Sequence, residues 1–278
     1  MRLSIITINR NNAEGLRKTL LSVNAQSASD FEHIVIDGNS SDNSVQVIAQ
    51  CASDRIDRSW ISEPDSGIYN AMNKGVRMAR GEYIQILNSG DCLASPEVVT
   101  RMLDALRERQ YPNILYANML KVFPDGHSRR DRSFAGKPIS FLGFYSGTLN
   151  HSPAYVRRSL FDTYGLYDES LKIVSDWKWY MDAIIFGNEI PLYADIDVTL
   201  FDMTGISETN TSLTRDERRR VLEQKLPRTV LADYDAFAFP VSQVNRLKRH
   251  PLFYKLFYLM ERLLFKWEQK TTRDQISR

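Results

Sequence analysis

Short runs of β-branched residues alternate with amphipathic stretches over the first 90 or so residues of the chain. The runs at residues 2–8, 33–37 and 81–87 are apolar and bounded by polar residues, which predicts buried strands. A further run at residues 59–65 predicts an edge strand that ends in a turn. One intervening stretch has apolar residues at helical spacing, namely Ile68, Ala71, Met72, Val76 and Ala79. Strands that alternate with helices predict an α/β fold with a doubly wound, mostly parallel sheet.

The second part of the chain has a looser pattern. Residues 97–109 predict an amphipathic helix, and residues 175–187 predict another one with aromatic residues on one face. From residue 212 onward the pattern is mostly helical. We therefore expect one domain over residues 1–212, followed by a basic amphipathic helical region over residues 213–278.

Composition is that of an ordinary globular protein, with 43% hydrophobic and 25% charged residues. The two cysteines, Cys51 and Cys92, are too few for a disulfide framework and fit a reducing compartment. The first apolar run is shorter than a signal peptide requires, and no apolar run reaches the ~18 residues of a membrane span. We therefore expect a cytoplasmic protein.

Charge is unevenly distributed along the chain. Residues 215–278 hold 15 Lys and Arg against 8 Asp and Glu, whereas residues 1–214 hold 21 against 26. The C-terminal part is therefore clearly basic, although the net charge of the whole chain is only +2. Such an asymmetry indicates that the C-terminal part has a partner of its own.

Polar side chains follow each of the four predicted N-terminal strands. Ligands of an open α/β sheet bind beyond the carboxyl ends of its strands, so these strand ends are where a site is expected. One such end could be only a turn, because turns are rich in Asn, Asp, Gly and Ser. Four of them on one edge instead predict a polar cleft. Its candidate residues are Thr7, Asn9, Asp37, Asp65, Ser89 and Asp91.

The residue types in this cleft narrow the class of ligand. The turn after the first strand lacks the G-x-G-x-x-G and G-x-x-x-x-G-K-S/T patterns, which disfavours dinucleotide and P-loop sites. The chain has no G-x-S-x-G pattern, which disfavours a serine nucleophile elbow. Acidic side chains favour recognition of a ribose or base together with a divalent cation held by oxygen ligands. A metal-bound diphosphate therefore fits better than a bare phosphate.

Four stretches in this order resemble family 2 glycosyltransferases, namely LSIITINRNN, EHIVIDGNSSDNS, SEPDSGIYNAMNKG and GEYIQILNSGD. The resemblance is strong over residues 1–95 and weaker over residues 151–211, and it is closest to the bacterial polysaccharide branch, including enzymes of the colanic-acid type. It implies a GT-A fold with a nucleotide-binding half at residues 1–95 and an acceptor half at residues 96–212. It also implies an enzyme that inverts the anomeric centre of a sugar taken from a nucleotide-diphosphate donor.

The resemblance implies which residues bind the donor nucleotide. They are Thr7, Asn9, Asp37, Asp65, Asn73 and Ser89. Asp37 is the candidate for the base or ribose, and Gly38 follows it where many relatives carry a second Asp. Each assignment has a structural alternative, because Asp37 and Asp65 could cap helices and Asn73 could fill a polar gap in helix packing.

Asp91 is implied as the residue that holds a divalent cation, Mn²⁺ or Mg²⁺. The family usually shows Asp-x-Asp here, but Asn88 and Gly90 stand where further acids are common. Diphosphate oxygens and water would therefore have to complete the coordination shell. His151 is a further candidate, as a metal ligand, a phosphate contact or a packed polar residue. A bound cation would neutralise charge on the leaving nucleotide diphosphate, and a turn Asp without a ligand is the alternative for Asp91.

Asp176 matches the catalytic acid position of the family, at the start of a helix rich in aromatic residues. A carboxylate there can take the proton of an acceptor hydroxyl, and a helix N-terminus favours its ionised form. A helix cap is the alternative for Asp176, and Asp182 is a second candidate for the base. Residues 204–208 resemble a loop that covers the donor and excludes water.

The C-terminal stretch 246–270 mixes cations with large apolar residues. On a helix, one face would carry Leu252, Phe253, Leu256, Phe257, Met260, Leu263, Leu264 and Trp267. This face could pack against the catalytic domain or a second subunit, or it could lie on an anionic membrane that carries a polyprenyl-diphosphate-linked acceptor. A nucleic-acid partner is disfavoured, because the cations accompany bulky aliphatic residues and not stacking aromatics.

Residues and resemblance together predict an inverting, metal-dependent glycosyltransferase. Its donor would be a nucleotide-diphosphate sugar, with UDP favoured over GDP, and its acceptor a hydroxyl of a lipid-linked precursor of a bacterial surface polysaccharide. The enzyme would be cytoplasmic or peripheral on the inner face of the membrane, with its oligomeric state open. The alternatives are a sugar-nucleotide nucleotidyltransferase, which would need a Gly-rich basic loop after the first strand, and a non-catalytic sugar-nucleotide-binding protein.

Overall fold

The computed structural model describes residues 2–137, 139–203 and 210–276, and these contain one sheet with helices on both faces. Its strands are β1 (Leu3–Asn9), β2 (Phe31–Asp37), β3 (Asp57–Ser62), β4 (Tyr83–Ile86), β5 (Cys92–Leu93), β6 (Ile114–Val122), β7 (Ser128–Asp131), β8 (Ala154–Arg157) and β9 (Leu192–Asp202). Its helices are α1 (Ala13–Asn24), α2 (Ser44–Gln50), α3 (Ile68–Met78), α4 (Val98–Glu108), α5 (Phe141–Ser146), α6 (Ser159–Tyr164), α7 (Ser175–Tyr180), α8 (Thr211–Lys225), α9 (Arg228–Lys248) and α10 (Pro251–Ile276). A π-helical segment, Met181–Phe186, continues α7.

The strand order is β3-β2-β1-β4-β8-β6-β9-β5, and β7 pairs with the end of β6. The four predicted N-terminal strands are β1 to β4, which pair in parallel. In the second half, β8 is antiparallel to β4 and β6, and β5 is antiparallel to β9, although β6 and β9 are parallel. The α/β prediction is confirmed, but continuous parallel pairing is confined to β1–β4 and does not extend across most of the sheet.

Helices cover both faces of the parallel strands, whose side chains alternate between the two faces. On one face α3 comes very close to β1, because a Cβ atom at Gly75 would lie 2.3 Å from Ile6 Cγ2. On the other face Leu16 and Leu20 of α1 pack with Val35 of β2. β1 and β2 are buried along their whole length, as their apolar runs predict.

Helix α7 is anchored by indole groups near the predicted base. Trp177 is buried and donates from Nε1 to the Phe144 carbonyl at 2.8 Å, and Trp179 donates to the Gly165 carbonyl at 2.8 Å. These bonds satisfy the polar atoms of two large apolar side chains, so the aromatic face can be buried without an unpaired N–H group. The start of α7, which carries Asp176, is therefore held in a fixed position.

The chain divides into two compact units, Met1–Val221 and Leu222–Arg278. This division lies within α8, and the domain boundary expected from the sequence, between residues 212 and 213, stays a prediction. The first half of α8 is fixed to the first unit, because the Glu217 carboxylate accepts hydrogen bonds from three backbone N–H groups at residues 172–174.

The second unit contains the end of α8 together with α9 and α10. Helix α9 has Pro240 in its interior, and α10 exposes large apolar side chains such as Leu256 and Trp267. No helix in the described ranges is long and apolar enough to cross a bilayer.

Candidate active site

The turn after β4 carries Asp91 and is fixed by α1. The Thr19 hydroxyl of α1 donates to the Asp91 carbonyl at 2.7 Å and accepts from the Gly90 N–H at 3.0 Å. Gly90 has a φ of +106°, a conformation that strains any other residue. An acid at position 90 would therefore strain this backbone, and Asp91 is the carboxylate that the turn presents.

The Asp91 side chain is buried, with 4% of the residue exposed. Its Oδ1 accepts a hydrogen bond of 3.1 Å from the Asp202 backbone N–H, whereas its Oδ2 is buried without a partner among the described residues. Burial raises the pKa of Asp91 to about 7, although the Asp202 N–H and the charge of His151 act in the opposite direction. A buried carboxylate oxygen without a donor favours the binding of a proton or a cation.

Asp176 is held by side chains from two other parts of the fold. Its Oδ2 lies 3.1 Å from His151 Nδ1, and its Oδ1 accepts a hydrogen bond of 3.0 Å from the Tyr69 hydroxyl of α3. Burial acts to raise the pKa of Asp176, but the hydrogen bond and charge of His151 and the bond from Tyr69 lower the pKa overall. Asp176 is therefore ionised near neutral pH, as a base must be.

His151 lies between the two acidic residues. Its Nδ1 faces Asp176, and its Nε2 lies 3.4 Å from the side-chain amide of Asn88, in the same turn as Asp91. Burial acts to lower the pKa of His151, but the hydrogen bond and charge of Asp176 and the charge of Asp91 raise it overall. The structure thus brings Asp91, His151 and Asp176 together, close to the carboxyl end of β4.

The fit of a divalent cation depends on Asp91. Within the described ranges no group of three His, Cys, Asp or Glu side chains is placed to hold a metal ion. The unpartnered Oδ2 of Asp91 is one available ligand, and an oxygen-bound Mg²⁺ or Mn²⁺ takes about six. These residues therefore fit a cation that binds together with a diphosphate.

Asp37 is enclosed by residues at the ends of β1, β2 and β3. It is fully buried and accepts four hydrogen bonds, from Asn9 Nδ2, Ser62 Oγ and both the backbone N–H and hydroxyl of Ser40. Burial acts to raise the pKa of Asp37, but these bonds lower it overall. Both oxygens of Asp37 are therefore bonded within the protein, and its contact with a base or ribose stays a prediction. Asn9 keeps one buried atom without a partner, Oδ1.

Thr7 and Asn73 also face other protein groups. Thr7 is fully buried, and its hydroxyl lies 2.9 Å from His33 Nε2, so its nucleotide contact stays a prediction. Asn73 donates to the Tyr167 carbonyl at 2.9 Å and to the Glu169 carboxylate at 2.8 Å, and its Oδ1 accepts from the Tyr167 N–H at 3.0 Å. Asn73 therefore joins α3 to the segment before α7, as the packing alternative predicts.

Asp65 and Ser89 differ in how far they are exposed, since the Asp65 side chain is only 6% exposed. Asp65 accepts a hydrogen bond of 3.1 Å from the Gly67 N–H at the start of α3, and its carboxylate is 4.0 Å from Arg10. Its Oδ2 occupies the space beside Gly38, where a Cβ atom would lie only 2.2 Å away. Ser89 is partly exposed. Of the predicted nucleotide-binding residues, Ser89 is the more accessible of these two, and the role of Asp65 stays a prediction.

Three residues near Asp176 were not predicted, namely Tyr69, Glu217 and Arg218. Glu217 is 3% exposed and accepts its three backbone N–H bonds, of 2.7 to 3.3 Å, from the segment directly before α7. Arg218 lies over the Trp177 ring, with Cζ 4.9 Å from the ring centre. Tyr69 belongs to the stretch SEPDSGIYNAMNKG, where its position among polar residues was a usable signal. The run of arginines in α8 is typical of a solvated helix face and carries no such signal.

Two other sequence-based candidates stay predictions. Asp182 is in the π-helical segment that continues α7, and its role as an alternative base stays a prediction. The loop at residues 204–208, which resembles a cover for the donor, lies outside the described residues.

Residues 4–167, more than half of the chain, match the family described as Glycosyl transferase family 2. The chain belongs to this family. An uncharacterized glycosyltransferase of Mycobacterium tuberculosis is 32% identical to this glycosyltransferase over 206 residues, which are 73% of this chain and 76% of the relative. A PGL/p-HBAD biosynthesis glycosyltransferase of Mycobacterium bovis is 27% identical over 208 residues, which are 74% and 79% of the two chains. The predicted family and enzyme class are confirmed, in place of the nucleotidyltransferase alternative, and the colanic-acid branch stays a prediction.

Two solved structures resemble the fold of this glycosyltransferase. S. aureus TarS 1–349 in complex with UDP-GlcNAc has a TM-score of 0.63 and 19% identity, over 76% of this chain and 61% of that chain. The mannosyltransferase PcManGT from Pyrobaculum calidifontis in complex with GDP-Man and Mn²⁺ has a TM-score of 0.55 and 14% identity, over 72% and 56%. At such identities the likeness shows the fold alone, and it confirms the predicted GT-A fold. This chain spans less than two thirds of either solved chain.

Proposed function

We propose that this glycosyltransferase inverts the anomeric centre and depends on a divalent cation. One observation carries the proposal: Asp91 has an unpartnered buried oxygen in the same site where His151 and Tyr69 hold Asp176 ionised. Single-displacement transfer needs one carboxylate for the cation at the leaving diphosphate and a second one for the acceptor proton. The site supplies both.

Asp176 is the proposed base. As the acceptor oxygen bonds to the anomeric carbon, the bond from that carbon to the diphosphate oxygen breaks, and the electron pair leaves with the diphosphate. The acceptor proton passes to the Asp176 carboxylate. His151 and Tyr69 bond to different oxygens of the carboxylate, and the Trp177 backbone N–H is a third donor. A carboxylate has about four lone-pair directions, so one remains for the acceptor. Their bonds also fix the direction in which the carboxylate points.

Asp91 is the proposed protein ligand of the cation. Its Oδ2 would bind Mn²⁺ or Mg²⁺, with His151 Nε2 as a candidate second ligand, and the cation would neutralise charge on the leaving diphosphate. Because the pKa of Asp91 is about 7, a proton competes with the cation for this oxygen.

The proposed donor is a nucleoside-diphosphate sugar, with UDP favoured over GDP. Family membership supports this class, and the two structural neighbours were solved with UDP-GlcNAc and with GDP-Man. We assign direct nucleotide contacts to Asn9, Asp65 and Ser89. Thr7, Asp37 and Asn73 hold the strand ends and α3 in place behind them, since their polar atoms are already paired.

The proposed acceptor is a lipid-linked precursor of a surface polysaccharide, reached at an anionic membrane through α10. The apolar side chains predicted for one face of α10 are all exposed. At 100° per residue, Lys255, Arg262 and Lys266 border this face on one side. A helix with cations beside an exposed apolar face suits the surface of an anionic bilayer.

Sedimentation with vesicles tests the membrane contact. Vesicles that contain phosphatidylglycerol should retain the full chain, whereas vesicles of phosphatidylcholine alone should retain much less. Exchange of Leu256 and Leu263 for Glu should abolish retention. Equal recovery in the supernatant with both kinds of vesicle would contradict the proposal.

A panel of UDP- and GDP-sugars tests the reaction. The purified enzyme should slowly hydrolyse its own donor in the presence of Mn²⁺ and lose this activity with EDTA. The hydrolysed sugar should be released with inverted anomeric configuration, which NMR of the fresh product reports. Retained configuration, or hydrolysis unaffected by EDTA, would contradict the proposed mechanism.

A further inference from the structure

Helix α8 places beside the proposed base a cation that the mechanism above does not use. Arg218 is partly buried, and its guanidinium lies over the ring of Trp177, the residue after Asp176. Its Nε is buried and has no hydrogen-bond partner among the described residues. No carboxylate in the described ranges forms an ion pair with it, although Asp176 is close enough for its charge to act on the guanidinium.

The position of Arg218 is set by its neighbour Glu217. The Glu217 carboxylate is buried and accepts the backbone N–H groups of residues 172–174, so it fixes α8 against the segment that leads into α7. The next residue on α8 is then held over Trp177, whose indole is itself bonded to the Phe144 carbonyl. Arg218 is therefore part of the rigid surroundings of Asp176.

Other arginines of α8 differ from Arg218. Arg215 and Arg220 are exposed, as solvated helix residues usually are. A guanidinium that is taken out of water needs an opposite charge and hydrogen-bond acceptors to offset the loss of hydration. Stacking on an indole supplies part of this stabilisation but no acceptor for the N–H groups. Arg218 thus presents unused donors at a site that handles phosphorylated substrates.

We propose that Arg218 binds the phosphate groups of a substrate at this site, either the diphosphate of the donor nucleotide or that of a lipid-linked acceptor. A guanidinium matches phosphate oxygens through paired N–H bonds, which an ammonium group cannot reproduce. In the first case the same bonds would stabilise the charge that develops on the leaving diphosphate. Residue 218 lies beyond the family match at residues 4–167, so the assignment comes from the packing of α8. It rests on the proposed function.

The test is calorimetric titration of the full chain with UDP and GDP, each with Mn²⁺, and separately with farnesyl diphosphate. Arg218→Gln should weaken binding of at least one of these probes by about tenfold, the effect of losing a charge-assisted pair. Arg218→Lys, which keeps the charge but not the planar fork, should weaken it by about threefold. The control Arg215→Gln, on the same helix, should change no affinity by more than about twofold.

The pattern of losses identifies the source of the phosphate. A loss confined to the nucleotide assigns Arg218 to the donor, and a loss confined to farnesyl diphosphate assigns it to the acceptor. If Arg218→Gln and Arg218→Lys both keep wild-type affinity for all three probes, the assignment is overturned while the proposed function stands. If the wild type itself binds none of the probes, both fall. Circular dichroism establishes that each variant is folded, and Arg218→Lys serves if Arg218→Gln is not.

Discussion

The residues predicted to bind the nucleotide and the residues around Asp91 and Asp176 differ in how completely their polar side chains are hydrogen-bonded. Among the predicted nucleotide-binding residues, the oxygens of Asp37 and the side chain of Asn73 are fully hydrogen-bonded within the protein, and Asn9 Oδ1 is the exception. Around Asp91 and Asp176, buried polar atoms lack partners among the described residues: Asn88 Oδ1, Asp91 Oδ2, Ser175 Oγ and Arg218 Nε. The first arrangement stabilises the fold, whereas the second leaves binding capacity for something that is not protein.

This difference separates residues that build the site from residues that act in it. A buried polar atom without a partner costs about 1–3 kcal/mol of stability, so several of them in one place indicate that a ligand satisfies them. Replacing a fully bonded residue should therefore lower stability first. Replacing an under-bonded one should lower activity and can even raise stability.

The largest effect is expected at Asp176. Asp176→Asn removes the proton acceptor while keeping the shape of the side chain, so sugar transfer should fall by about 10³-fold, as for loss of a general base. Affinity for the nucleotide, measured by calorimetry, should change little. Asp182→Asn is the matched control on the π-helical segment and should retain activity. The reverse result for the two variants would move the base to Asp182.

Asp91→Asn should abolish the stimulation of activity by the metal and should show what the buried, unpartnered carboxylate oxygen costs in stability. Transfer should fall by about 10²-fold or more, because a neutral amide binds Mn²⁺ poorly. Urea unfolding of the metal-free proteins at pH 8 should show that the variant is more stable than the wild type. The difference in the free energy of unfolding should be up to about 4 kcal/mol, because each unit by which folding raises the pKa of Asp91 corresponds to about 1.36 kcal/mol.

The sign of that stability change follows from proton binding. The pKa of Asp91 is raised from 3.8 in the unfolded chain to about 7 in the folded protein, so the native state binds the proton more tightly. Metal-free wild type should therefore lose stability as the pH rises from about 4 to about 7. A variant that is equally or less stable than the wild type at pH 8 would show that the Asp91 carboxylate is well solvated.

Asn73→Ala tests the fully bonded residues. The change removes three hydrogen bonds and leaves the backbone groups of Tyr167 without partners, so unfolding should require about 2 kcal/mol less. The affinity for UDP with Mn²⁺ should stay within about threefold of the wild type, because Asn73 has no atom left for a ligand. A large loss of UDP affinity with unchanged stability would contradict this expectation and would indicate that Asn73 contacts the nucleotide.

Glu32 should show a pH dependence opposite to that of Asp91. Burial acts to raise its pKa, but hydrogen bonds from Ser4 and from the backbone and side chain of Arg80 lower it overall. This contribution to stability is present above the unfolded pKa and is lost as the pH falls through the folded one. Glu32→Gln should therefore reduce the acid-side loss of stability in urea titrations between pH 7 and pH 3, whereas exposed Glu108→Gln should not.

The N-terminal strands and helices are predictable because their patterns are local. The apolar runs predict β1, β2 and β4, and helical spacing predicts α3. The family motifs at the ends of these elements are therefore also placed correctly in the fold. The second half, which mixes parallel and antiparallel pairs, is harder to predict, since pairing of β8 with β4 and β6 joins residues far apart in sequence. The residue pattern of such short strands does not indicate whether they pair in parallel or antiparallel.

Within the site, the sequence identifies the acidic residues but not whether their side chains are hydrogen-bonded to other protein groups. Asp91, His151 and Asp176 are predicted and come together, yet whether a side chain is paired depends on its partners in three dimensions. Thr7 bonds to His33, and Asp37 accepts a hydrogen bond from Ser62. Predicting these bonds requires knowledge of how β1, β2 and β3 are aligned in the sheet. Arg218 is missed because only the packing of α8 distinguishes it from its arginine neighbours.

The contact between positions 38 and 65 ties two separate motifs to one another. Because the Asp65 carboxylate fills the space that a side chain at residue 38 would need, a side chain there requires the Asp65 side chain to rotate away. That rotation would move the carboxylate off the Gly67 N–H at the start of α3. A chimera joined between the two positions that gains a side chain at residue 38 would therefore change how α3 begins.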